Sequence, residues 1–156
     1  YVLSISANEK YKDINYLEES FHSSELAVSH ELIIVSRDYN KSNNATRVLS
    51  DLNNDEIQVL VRDSYCIAIT SLFEGFGFPY YEGLLRGKRI LAYANPVALH
   101  IERSNPSIIT YNKVDLHLKD VFDKLTISHD FTYDMSVPSK EMLLNMYLDF
   151  ELKCYS

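Results

Sequence analysis

Two carboxylates stand eight positions apart in the stretch SLFEGFGFPYYEGLLRGKRILAY, residues 71–93: Glu74 and Glu82. Gly75 and Gly77, two of the chain's four glycines, lie between them. An ionised carboxylate only accepts hydrogen bonds, so it suits hydroxyl donors, and a vicinal diol can donate twice to one carboxylate. Glycine lets the main chain approach a ligand closely or take a positive φ. Pro79 suits the first turn of a following helix, whose N–H groups and positive dipole end favour phosphate. The ligand such a loop asks for has phosphates between two hydroxyl-rich ends. A nucleotide sugar has that form, with ribose at one end and hexose at the other. The same residues also admit a plainer assignment: a glycine turn between acids, with Glu82 in a first helical turn complementing the dipole.

The elements that must position this loop are legible in the hydrophobic pattern. Short apolar runs predict strands at 1–6, 31–36, 47–52, 65–70, 88–93 and 106–112. Helical spacing predicts helices at 14–27, with Ile14, Leu17 and Phe21 on one face, at 54–64 with Asn54 as cap, from Pro79 to a C′ glycine at Gly87, and at 114–125. A last helix is predicted from Pro138 to the end of the chain. Strand and helix alternate along one unrepeated domain, 1–156. This predicts a Rossmann-like open parallel α/β sheet with helices on both faces. The strands are continuous apolar runs, as expected of a sheet covered on both sides. In such a sheet ligands bind beyond the carboxyl ends of the strands, which is where EGFGFP falls.

Composition narrows the class. The chain of 156 residues has a net charge of −7. That argues against a nucleic-acid partner, because phosphate backbones are held mainly by Lys and Arg. No apolar run approaches the roughly 20 residues of a spanning helix. The five histidines (22, 30, 100, 117 and 129) and the distant Cys66 and Cys154 show no ligand spacing, so no metal is expected. Cys66 is read as a small core residue. The twelve tyrosines are read mainly as packing, and the cations of RGKR, 86–89, as serving a helix C-terminus.

The stretch SLFEGFGFPYYEGLLRGKRILAYANPVALHIE resembles the signature of family 4 glycosyltransferases of GT-B fold, a pattern like S-x-x-E-G-F-G-x-P-x-x-E-(A/G)-x-x-x-G. Ser71, Glu74, Gly75, Phe76, Gly77, Pro79, Glu82, Gly83 and Gly87 match it. SANEKYKDINYLEESF is similar to the family's first strand-loop-helix, with Lys12 at its diphosphate lysine. ANPVALHIE resembles the Asn-containing loop ending in glutamate, with Asn95 and Glu102 matching. The likeness spans roughly residues 1–150. The sequence departs from the family where a glycine and a basic residue commonly follow the first strand. Here Ser6, Ala7 and Asn8 stand there, and Lys10 is the nearest substitute for the second cation.

The resemblance implies a role for each matching residue. Glu74 would contact the donor sugar's hydroxyls and Lys12 would neutralise the diphosphate leaving group, these two being the catalytic pair. Glu82 would hold the ribose, and the amides of Gly75, Phe76, Gly77 and Phe78 would face sugar and diphosphate. Lys10 and Asn95 would complete the donor site, with His100 nearby, and main chain at 49–52 would face the base. The expected function is the donor-binding C-terminal half of a retaining, metal-independent hexosyltransferase of polysaccharide biosynthesis. It would take a UDP- or GDP-sugar and need no cofactor. Its glycan or lipid-linked acceptor would be held by an N-terminal domain missing from this sequence, so the chain alone is expected to transfer little or nothing; the last helix (138–156) would cross toward that domain or, on the alternative reading, pack as an ordinary surface helix on its own sheet. The expected location is cytoplasmic, at the inner face of a membrane through peripheral association. The rival class is a catalytically inactive nucleotide-binding or protein-interaction module of the same fold. A glycoside hydrolase is disfavoured by the parallel α/β pattern, and a dinucleotide oxidoreductase by the lack of G-x-G-x-x-G after the first strand.

Overall fold

A computed structural model describes residues 1–41 and 45–127. The helix expected from Pro138, and Cys154, lie outside these residues. In chain order the elements are β1 (Val2–Ile5), α1 (Ile14–His22), β2 (Leu32–Val35), β3 (Thr46–Leu49), α2 (Asn54–Asp63), β4 (Cys66–Ile69), α3 (Phe78–Leu84), β5 (Arg89–Tyr93), α4 (Pro96–Glu102), β6 (Ile108–Tyr111) and α5 (Leu118–Ile127). All six strands join one parallel sheet in the order β3-β2-β1-β4-β5-β6. This is the doubly wound α/β fold, and its strand order reverses between β1 and β4.

The apolar runs are continuous because each strand feeds two cores. Val2, Leu32, Ile34, Cys66, Ala68 and Leu91 face one layer, against Leu17 and Phe21 of α1 and Phe122 of α5. Leu3, Ile33, Val35, Ile67, Ile69, Ile90 and Ala92 face the other, against Val61 of α2, Tyr80 and Leu84 of α3, and Val97 and Ile101 of α4. Successive side chains of a strand point to opposite faces, so neighbours in sequence are core residues of different layers.

Side chains set several boundaries one to five residues away from where periodicity puts them. The helix expected over 14–27 stops at His22 because Ser23 and Ser24 turn their hydroxyls back onto the carbonyls of Glu19 (2.7 Å) and Phe21 (2.6 Å). A 3-10 turn, Glu25–Val28, follows. The cap of α2 is Asn53, not Asn54: Asn53 accepts from the Glu56 amide (3.0 Å) while the Glu56 carboxylate accepts from the Asn53 amide (2.7 Å), a capping box. The helix expected from 114 begins at Leu118, since Asn112 Oδ1 first gathers the amides of Val114 and Asp115 (both 2.9 Å). Gly87, at φ 64, ends the α3 segment as expected, with its amide on Leu84 O (2.9 Å) and that of Lys88 on Gly83 O (3.0 Å). The alternation has one departure. Residues 36–45 join the parallel pair β2 and β3, and the described part of that connection holds no helix. Buried Tyr39 anchors it to the α1 layer by donating to Glu18.

Candidate functional site

At the reversal point the sheet opens. β1 pairs with β2 over four residues but with β4 only at Val2↔Cys66 and Leu3↔Ile67. Beyond these the strands part, and the loops after β1 and β4 fill the crevice. The two loops are stitched together. Leu72 N–H donates to Tyr11 O (2.8 Å), the Thr70 hydroxyl donates to Lys12 O, and the Tyr11 and Phe73 rings stack at 4.3 Å and 19°. The result is that Lys12 Nζ meets Glu74 Oε1 at 2.7 Å, though 62 residues separate them. Their side chains keep only 16% and 13% of their exposure. Shielded from bulk water, this pair interacts more strongly than a surface pair. The two residues assigned to sugar and leaving group are thus adjacent.

The glycines between the glutamates do different work. Gly77 is the N-cap of α3 at φ 72, in the left-handed region that favours glycine. A Cβ there would lie 2.6 Å from Tyr80 Cδ2 and 2.7 Å from Val97 Cγ1. A Cβ on Gly75 would meet nothing within 4 Å. Gly77 therefore shapes the turn, whereas Gly75 presents bare main chain to open space. Phe76 and Phe78 are exposed, their rings 6.0 Å apart. Glu82 is exposed and is the fifth residue of α3, past the first turn, so it does not serve the dipole as a first-turn acid would. It borders a small hollow with Ile5, Val61 and Pro79.

Asn95, expected among the donor contacts, is only 1% exposed. Its Nδ2 donates to Ser71 O (3.1 Å) and to Tyr80 Oη (2.9 Å), and its Oδ1 accepts from Ala98 N (2.9 Å). The segment read as an Asn-containing loop is the cap and body of helix α4. Asn95 braces the loop after β4 against α3 and α4. Burial holds the Tyr80 phenol well above its ordinary pKa, so it stays protonated. Glu102 is similarly occupied: its carboxylate accepts from the Thr110 amide (2.9 Å) and hydroxyl, clipping α4 to β6. His100 lies in the last turn of α4, away from the Asn95 cap. In the RGKR cluster, Arg86 donates to Glu82 O and Lys88 Nζ to Ser64 O (2.9 Å), the latter at the end of α2.

Next to the crevice lies an open cleft of about 520 Å³, formed by the ends of β1, β2 and β3. Ile5, Val35, Leu52 and Ile57 give it apolar walls, and Lys12, Ser36, Arg37, Asp38, Ser50 and Asp51 its polar lining. Ile5 also borders the Glu82 hollow, so the two spaces adjoin. The expected base-facing segment, 49–52, is represented here by Ser50, Asp51 and Leu52. Asp51 turns the chain at φ 56, a conformation Asp tolerates better than most residues. Lys10, the expected second cation, is exposed on the 3-10 turn Lys10–Lys12 and does not line the cleft. Sequence reasoning passed over Ser36 and Arg37. Their only signal was position, immediately after a buried parallel strand. Among the described residues no group of His, Cys, Asp or Glu could hold a metal ion, and no helix is long and apolar enough to cross a membrane.

No protein-family model matches this chain, and no curated protein matches it. Solved structures match it in shape. HepE of Anabaena, in complex with UDP and glucose, aligns with a TM-score of 0.67 at 16% identity, over 99% of this chain and 48% of that one. WaaG, a glycosyltransferase involved in lipopolysaccharide biosynthesis, aligns at 0.64 and 14% identity, over 80% of this chain and 36% of that one. The C-terminal domain of a glycosyl transferase group 1 family protein, LpcC from Francisella tularensis, aligns at 0.60 and 15% identity, over 81% of this chain and 74% of that domain. The likeness is one of fold. The chain spans less than half the length of HepE and WaaG.

Proposed function

We propose that this chain is the donor-binding domain of a retaining, family 4 glycosyltransferase that takes a sugar from a UDP- or GDP-sugar. The observation that carries the reading is the shielded Lys12–Glu74 pair, 2.7 Å apart at the crevice where the sheet reverses, beside the bare main chain of Gly75. The fold adds support: it is shared with WaaG, a glycosyltransferase, and with HepE, whose structure holds UDP and glucose.

Chemically, the pair can take on a ligand without parting. An ammonium has three donors, so Lys12 can keep Glu74 and still donate to a diphosphate oxygen. The leaving diphosphate gains negative charge as the glycosidic bond breaks, and a cation already in place stabilises that charge at no further reorganisation cost. Glu74 retains a second oxygen to accept from the sugar's hydroxyls. Glu82, across the wall formed by Ile5, accepts from ribose hydroxyls in this reading. The base lies against the apolar walls of the cleft. In the whole protein the acceptor, a glycan or lipid-linked sugar of polysaccharide biosynthesis, comes from a partner domain, and the enzyme works in the cytoplasm at a membrane's inner face.

The test is calorimetric titration of the chain with a panel of UDP- and GDP-sugars. One donor should bind weakly, and Glu74→Ala should reduce that binding. A folded chain that releases no heat with any donor overturns the proposal.

A further inference from the structure

The leaving group is a diphosphate, yet the lysine assigned to it already has its charge matched by Glu74. A second cation is needed, and the loop after β1 has none lining the cleft apart from Lys12. We infer that Arg37, at the end of β2, supplies it by pairing with the nucleotide's phosphate, with Ser36 contributing a hydroxyl to the same ligand.

Three observations converge on this pair. Arg37 lines the cleft together with Lys12, and its guanidinium has no ion pair or hydrogen bond among the described residues. An exposed, unpaired guanidinium in a cleft offers a planar fork of donors that matches phosphate geometry. Asp38 and Asp51 border the same cleft, but neither lies within ion-pair distance of it. Ser36 is only 4% exposed, and its Oγ is buried with no hydrogen-bond partner among the described residues. A buried hydroxyl left unpaired is costly, and one in a cleft wall is explained by a ligand atom that completes it. In a nucleotide sugar with a neutral hexose the diphosphate is the anionic part, so a cation without a partner among the described residues selects it. This inference deepens the donor-site reading above and rests on it. The second cation comes from the strand next to the one where the family resemblance placed it.

The experiment titrates the chain with UDP and GDP. The nucleotide that binds is then compared with its nucleoside, uridine or guanosine, by ligand-observed NMR. Arg37→Ala, an exposed position, should leave the melting temperature unchanged. It should weaken nucleoside diphosphate binding roughly 10- to 100-fold, the range of a charge-assisted hydrogen bond. Nucleoside binding should stay the same, and Arg37→Lys should restore part of the loss. Ser36→Ala should not lower the melting temperature of the free chain, because it removes an unpaired group, but should weaken the nucleotide. Wild-type binding that survives Arg37→Ala intact overturns the inference and leaves the donor site standing. Equal losses for nucleotide and nucleoside also overturn it, by placing Arg37 on the nucleoside. No binding of either nucleotide by the folded wild type overturns both readings.

Discussion

Replacing each loop glycine by alanine separates shape from function. At Gly77 the left-handed φ of 72 costs an alanine about 1–2 kcal/mol. Its Cβ would also press to 2.6 Å from the Tyr80 ring and 2.7 Å from a Val97 methyl. Both neighbours are buried, at 0% and 3% exposure, so neither can swing into solvent. Relieving such overlap in a packed core costs about 1–3 kcal/mol. Gly77→Ala should therefore lose about 3 kcal/mol, which for a chain of this size lowers Tm by roughly 6–12 °C. Gly75→Ala has open space for its methyl and should stay within about 0.5 kcal/mol of wild type. Urea denaturation and calorimetry measure both. Donor titration should then show the opposite ranking for Gly75: a folded variant whose methyl occupies the space proposed for the ligand, binding about tenfold more weakly, the loss of one good contact. A Gly77→Ala variant as stable as wild type, or a Gly75→Ala variant equally destabilised, would refute the division of labour.

In the full-length protein, Glu74→Ala should depress turnover strongly whereas Glu82→Ala should mainly raise the donor KM; similar small effects from both would show the roles are misassigned. Asn95→Ala removes a helix cap and leaves Ser71 O and the Tyr80 phenol without their partner, so it should cost about 2–4 kcal/mol in urea denaturation; a neutral result would remove its bracing role. Burial holds the His30 imidazole below its usual value. The unfolded chain therefore takes up that proton first. This stability is complete above pH 6.5 and is lost as pH falls toward the lower folded value. His30→Gln should flatten the decline between pH 7 and 5, and an unaltered pH profile would contradict the assignment. Burial pushes the Cys66 thiol up to about 12, so in a Cys154→Ser background it should resist alkylation at pH 8 until the chain unfolds; rapid native-state labelling would count against that.

The sequence alone shows the alternation of strands and helices, the two-sided burial of the sheet and the glycine loop between Glu74 and Glu82. These are local properties: apolar runs, helical spacing and turn residues act over a few positions. It misplaced helix ends where hydroxyl and amide side chains compete for the main chain, as at Ser23, Asn53 and Asn112. Helix α4 stayed hidden because its seven residues, Pro96–Glu102, are too few to show a clear period. Tertiary structure decided which side chains meet. Asn95 reads as a binding residue in the chain and becomes a buried brace in the fold. Lys12 reaches Glu74 because β1 and β4 are neighbours and part after two paired residues. Arg37 and Ser36 join the cleft because β2 lies beside β1 and ends level with it, Ile5 opposite Val35. Strand order and register set those distances, and both depend on how the whole sheet closes over its two cores.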